Sequence, residues 1–145
     1  MTEQPALIIR DAYLQNRDEL CDISVTEGTI TAIAERIEST AETEIDAEGD
    51  LVSPGFVDAH VHMDQALSLG AQRCPAHNTE PFDKEWSMAM SAEYFAETDP
   101  ETIEETVVEV ARMAVANGVT HARTHAYIDE TVGTKSIEAV EAAGE

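Results

Sequence analysis

From Val57 to Asp64 apolar and polar residues alternate without a break, in the run Val57-Asp58-Ala59-His60-Val61-His62-Met63-Asp64. Successive side chains of an extended strand point to opposite faces. The run therefore predicts a strand over 56–63 with Asp58, His60, His62 and Asp64 on one face and Val57, Ala59, Val61 and Met63 on the other. Strand character returns over 119–128, where His121, Arg123 and His125 share one parity. A strand buried in a parallel sheet ordinarily reads as continuous apolar residues. A full polar face on such a strand needs partners, which can be carboxylates, a metal or a bound molecule.

The segments between these strands read as helices. Phe82, Trp86, Met90 and Tyr94 recur at four-residue spacing and predict a packing helix over 82–95. Asp99 is placed to cap the next helix, Pro100 suits its first turn and Gly118 suits the position past its end. Ile103, Val107, Val110 and Ala114 mark its buried face. A further helix is predicted to begin near Ser136 and run to Ala143. Strand, helix, strand, helix implies an α/β fold with a right-handed parallel crossover.

Residues 1–53 read differently. Short strands are predicted at 6–10, 21–25, 29–34, 44–47 and 51–53, with Glu27-Gly28 joining two of them as a hairpin. Pro54-Gly55 punctuates the chain, and the domain boundary is placed there, giving segments 1–53 and 54–145. At 145 residues the chain is short of the roughly 250 of a closed eight-stranded barrel.

The formal charge of −22, from 30 acidic residues against 8 basic ones, leaves no basic face for phosphates and argues against nucleic acid and anionic membranes as partners. The acids are dispersed and only two lysines occur, Lys84 and Lys135, so the surface reads as one adapted to high salt. Circular dichroism across a potassium chloride series is expected to show loss of structure at low ionic strength; unchanged folding in dilute buffer excludes this. Cys21 and Cys74 form no paired motif, which suits a reducing cytoplasm. No leader peptide and no membrane span of about 18 apolar residues is read in the sequence.

Two histidines two residues apart on a strand have Cα atoms about 6.6 Å apart, and their rings can converge on one divalent ion with bonds near about 2.1 Å. In parallel α/β folds active sites gather at the C-terminal ends of strands, where His60, His62 and the following Asp64 stand. His125, nearest the end of its strand, is the other candidate for the site, with structural hydrogen bonding as the alternative. Arg123 is expected to pair with Asp58 or Asp64. His121 is expected to sit deeper in a structural role, and His77 to lie exposed in a loop.

Pro54-Gly55-Phe56-Val57-Asp58-Ala59-His60-Val61-His62 resembles the segment that opens the barrel in the amidohydrolase superfamily. The hairpin and Asp46-Ala47-Glu48-Gly49 are similar to the superfamily's N-terminal β-sandwich. His60-Val61-His62-Met63-Asp64, together with residues 116–125, resembles the cytosine deaminase branch, and the likeness extends over nearly the whole chain. The resemblance implies the start of a (β/α)8 TIM barrel, incomplete in this chain and preceded by part of a small β-sandwich. It implies one divalent metal, iron or zinc, held by His60 and His62, with the remaining ligands and the proton-transfer groups lying beyond Glu145. It also implies hydrolysis of a C–N bond on a small heterocyclic substrate such as cytosine, in an enzyme that can form homo-oligomers when full length. Asp64, His125, Arg123 and Asp58 are the candidates to touch the substrate or support the ligands. Gln65 stands where many relatives carry lysine. A cyclic amide, an N-alkyl triazine and an inactive truncated fragment remain alternative readings. The separate zinc deaminases with His-x-Glu and Pro-Cys-x-x-Cys signatures are excluded, since neither pattern occurs.

Overall fold

The computed structural model describes residues 4–68 and 84–144. The chain divides into two compact units, Met1–Pro54 and Gly55–Glu145.

The first unit is a four-stranded mixed sheet built from β1 (Leu7–Ala12), β2 (Cys21–Thr26), β3 (Thr29–Ala34) and β4 (Thr43–Asp46), in the order β3-β2-β1-β4. β1 runs parallel to β4 and antiparallel to β2. Glu27 and Gly28 both take positive φ, 50° and 73°, which is the requirement of the tight turn whose twist matches a hairpin. Across that hairpin Val25 stands opposite Ile30 and Ile23 opposite Ile33. The predicted strand over 51–53 is reduced to a single bridge between Leu51 and Tyr13.

β2 is buried on both faces over Cys21, Asp22, Ile23 and Ser24. Its polar members are satisfied by specific partners. Ser24 Oγ lies 2.9 Å from Thr31 Oγ1. Asp22 accepts hydrogen bonds from Arg10 at 2.8 Å and from the backbone N–H groups of Ile37 at 2.9 Å and Asp11 at 3.2 Å. Arg10 also donates to Glu44, to Ile37 O and to Ser39 O, so one guanidinium ties β1, β2, β4 and the segment after β3.

Burial alone raises the affinity of Asp22 for a proton, but the bonds from Ile37, Arg10 and Asp11 outweigh it and hold the carboxyl below its usual range. Such a group contributes stability above its unfolded pKa, near about 4, and that stability is lost as pH falls through the lower folded value. Acid titration followed by circular dichroism is therefore expected to show Asp22→Asn flattening the fall in stability below about pH 4. An unchanged acid profile in that variant would mean that the cluster is not the source.

The second unit contains β5 (Phe56–Val61), α1 (Lys84–Glu97), α2 (Pro100–Ala116), β6 (Val119–Thr124) and α3 (Lys135–Ala142). β5 and β6 pair in parallel, so strand–helix alternation opens an incomplete (β/α)8 barrel. Both strands are shorter than alternation alone predicts, ending at Val61 and Thr124. Asp99 caps α2 by accepting from Thr102 N at 2.9 Å, and Pro100 follows in the first turn. Ile103 and Val107 bury fully and join Met63, Phe95, Val132 and Ala139 in one core.

In α1 the four-residue stripe does not define the buried face. Phe82 lies outside the described residues, Trp86 is 46% exposed, and the fully buried side chain is Phe95. The helix repeats every 3.6 residues, so a strict four-residue stripe winds by about 40° per step. Phe95 lies nine residues past Trp86, half a turn around the helix, so the face that carries Phe95 to the core is the one opposite Trp86. Lys135 of α3 donates to Phe95 O and, at 2.7 Å, to Thr98 O. Its charge thus serves the carbonyl end of α1, whose own last turn has no basic residue.

Gly55 enters β5 against β6 with no room to spare. A Cβ placed there would stand 2.1 Å from Thr120 Cγ2 and 2.8 Å from Thr120 Cβ. Gly55→Ala must push the strands apart, and a loss of about 2–3 kcal/mol is expected in urea unfolding. A loss within about 0.5 kcal/mol would show that the strands yield freely.

No helix among the described residues is long and apolar enough to cross a membrane.

Candidate metal centre

β5 carries the two histidines to its C-terminal end, but the ladder beneath them is irregular. Asp58 stands opposite Ala122 and Val61 opposite Thr124, which is three steps on β5 against two on β6. This extra residue is a bulge, and it breaks strict alternation. Val57, not Asp58, faces His121 in register. The Asp58 carboxylate turns back to accept from the backbone N–H of His60 at 3.1 Å. The expectation that Asp58, His60, His62 and Asp64 share one face is therefore corrected at both ends, since Asp64 is fully buried.

The imidazoles of His60 and His62 do meet. Their Nε2 atoms lie 3.4 Å apart, and their ring centroids are 5.4 Å apart at an interplanar angle of 46°. Both residues are exposed at the strand end. His125, immediately after β6, brings a third ring to within 4.2 Å of His60 and 5.6 Å of His62. Partial burial first, then the charges of His60, His62 and Arg123, push the His125 imidazole below its ordinary range.

Arg123 is exposed and makes no ion pair with Asp58 or Asp64 among the described residues, so the expected pairing is absent. Asp64 instead accepts from the backbone N–H of Tyr127 at 2.8 Å. His121 is exposed rather than deep, with its Nδ1 3.0 Å from Thr120 Oγ1. His77 and Cys74 lie outside the described residues.

A set of backbone and side-chain bonds holds the strand ends together. Met63 N donates to Thr124 Oγ1 at 3.3 Å, and His125 N donates to Val61 O at 2.8 Å. Tyr127, besides its bond to Asp64, stacks on Phe95 with centroids 4.7 Å apart and donates its hydroxyl to Asp129 at 2.8 Å. Asp129 also accepts from the N–H groups of Thr131 and Val132, each at 2.7 Å. Asp129 two and three residues ahead of these amides is an Asx-turn signal, the one local pattern that could have marked this segment.

The donor chemistry can be tested against a metal directly. Two nitrogens 3.4 Å apart fit ligands each about 2.1 Å from a common ion, subtending roughly 110° there, near the tetrahedral angle. Among the described residues no group of three or more His, Cys, Asp or Glu side chains is arranged to hold a metal ion. The local donor set is a pair, and a four-coordinate ion needs further ligands.

The sequence profile of the amidohydrolase family matches residues 51–145. The chain belongs to the amidohydrolase family. An N-isopropylammelide isopropyl amidohydrolase of Pseudomonas sp. (strain ADP) is 39% identical over 140 residues, covering 97% of this chain and 35% of that protein. A dihydroorotase of Bacillus subtilis (strain 168) is 48% identical over 59 residues, covering 39% of this chain and 14% of that one. Among solved structures, 5-methylcytosine deaminase from Klebsiella pneumoniae superimposes with a TM-score of 0.76 at 24% identity, over 94% of this chain and 34% of the deaminase. That likeness establishes the shared fold. This amidohydrolase chain spans about a third of the length of the Pseudomonas and Klebsiella proteins.

Proposed function

We propose that these residues form the N-terminal part of a longer metal-dependent hydrolase that breaks an exocyclic C–N bond on a small nitrogen heterocycle, releasing ammonia or an alkylamine. The observation that carries the reading is the His60–His62 pair, whose Nε2 atoms stand 3.4 Å apart at a strand end in an amidohydrolase chain. His60 and His62 would hold one divalent ion. Imidazole nitrogen suits iron and zinc alike. When bound, the ion supplies Lewis acidity that brings the pKa of water down toward about 7.

The chain's own residues then have distinct tasks. Asp58 fixes the His60 backbone through the amide it accepts from. His125 stands beside the pair and can accept a hydrogen bond from a ring N–H of the heterocycle. Arg123, exposed on the adjoining strand, supplies positive charge for a carbonyl or ring oxygen of the substrate. The later ligands and the groups that move protons to the leaving amine come from the remainder of the longer chain. The free thiol of buried Cys21 suits the reducing cytoplasm, where we place the enzyme.

Within this reading, deamination of a cytosine-like pyrimidine is the form suggested by the His60–Asp64 motif. Removal of an alkylamine from a triazine is favoured by the Pseudomonas relative, whose similarity runs along 97% of this chain. The dihydroorotase likeness covers only 39% of it and weighs less on the substrate. Full-length protein loaded with zinc or iron should be assayed against N-isopropylammelide, cytosine and dihydroorotate. Amine release from either of the first two is the expected result, and turnover confined to dihydroorotate would overturn the exocyclic reading. The 145-residue chain alone is expected to release amine no faster than its His60→Ala variant.

A further inference from the structure

We infer that Asp64 is a positioning residue, which holds the His125 segment against His60 and His62 through the Tyr127 backbone. It rests on the metal reading for its consequence at the ion but not for its geometry.

The residues after β5 and after β6 are stitched by three bonds. His125 N donates to Val61 O at 2.8 Å, Met63 N donates to Thr124 Oγ1 at 3.3 Å, and Tyr127 N donates to Asp64 Oδ2 at 2.8 Å. The first two lie within the end of the ladder. Asp64 supplies the third, beyond the end of both strands, and brackets His125 between two anchored positions. In its own segment it lies two residues past His62, so one side chain sets the separation of the segments that carry the three rings.

Stability does not account for a carboxylate at this place. Asp64 is fully buried, Oδ2 has its bond from Tyr127, and Oδ1 makes no hydrogen bond among the described residues. A carboxyl so poorly satisfied costs more to bury than an apolar side chain of similar volume. The short acid offers instead an acceptor at a fixed reach from β5. The position it fixes is itself rigid, because Tyr127 stacks on buried Phe95 at 4.7 Å and bonds Asp129. Asp64 thus couples the helical core to the histidines.

The test compares three variants of the full-length protein. Asp64→Ala removes the acceptor. Asp64→Asn keeps an acceptor oxygen without the charge, and Asp64→Glu keeps the charge but displaces it by one methylene. Histidine ring nitrogens are read by ¹⁵N NMR of metal-free protein, and zinc affinity by competition with a chromophoric chelator. Asp64→Ala and Asp64→Glu are expected to move the His125 and His62 ring signals and to weaken zinc binding by about 10–100-fold. Asp64→Asn is expected to restore both, with affinity within about threefold of wild type. If Asp64→Ala does not fold, the contrast between Asn and Glu still decides. Ring signals and zinc affinity unchanged in Asp64→Glu would overturn the inference, even with a lower unfolding midpoint, and so would Asp64→Asn behaving as Asp64→Ala. Should wild type and His60→Ala bind zinc alike, the metal reading fails, while the ring signals still judge the positioning.

Discussion

Replacing His60 or His62 by alanine in the full-length enzyme is expected to lower amine release by at least about a thousandfold. Either change removes one of two nitrogens that stand 3.4 Å apart, and an ion left with an incomplete ligand set is held more weakly and in altered geometry. The fold should survive, because both rings are exposed at the strand end and neither belongs to the core. Far-ultraviolet circular dichroism and the urea midpoint are therefore expected to stay near wild type while turnover collapses. His121→Ala is the control. Its ring is exposed and, among the described residues, bonds neighbouring Thr120 alone, so activity within about threefold of wild type is expected. A comparable loss in the control would point to strand damage rather than lost coordination.

Phe95→Ala is expected to cost about 3–5 kcal/mol in urea unfolding of the second unit. The ring is fully buried, stacks on Tyr127 with an interplanar angle of 10°, and meets Tyr94 edge-on at 5.0 Å. Truncation leaves a cavity beneath Tyr127, whose backbone anchors Asp64. A secondary loss of zinc affinity should follow, because the His125 segment then rests on a looser floor. Phe95→Leu retains most of the volume and should cost about 1–1.5 kcal/mol. A loss below about 1 kcal/mol for the alanine variant would show that α1 is not the support the packing indicates.

Much of this architecture is readable from local pattern, and the misses have specific causes. Alternation across a strand is enough to bring His60 and His62 together, because residues two apart share a face wherever the backbone stays extended. The same rule fails at Asp58, because the bulge before Val61 adds one residue to β5, and no glycine or proline between them marks it. It fails again at Asp64, where the strand has ended and the chain turns the carboxylate into the interior. Helix limits at Asp99 and Gly118 were legible because capping is local chemistry. Phe95 was not, because it stands half a turn around the helix from Trp86, off the four-residue stripe. The Arg10–Asp22 pair joins residues 12 apart across two strands, and the Asp64–Tyr127 bond joins residues 63 apart. No periodicity encodes contacts of that range; they exist only once the sheets have formed.

The most direct measurement is zinc-edge X-ray absorption on the full-length protein beside its His60→Ala and His62→Ala variants. The account predicts a first shell with imidazole nitrogens at about 2.0–2.1 Å and one imidazole fewer in each variant. A first shell that is the same in all three proteins would contradict it, leaving the two rings without an ion to share.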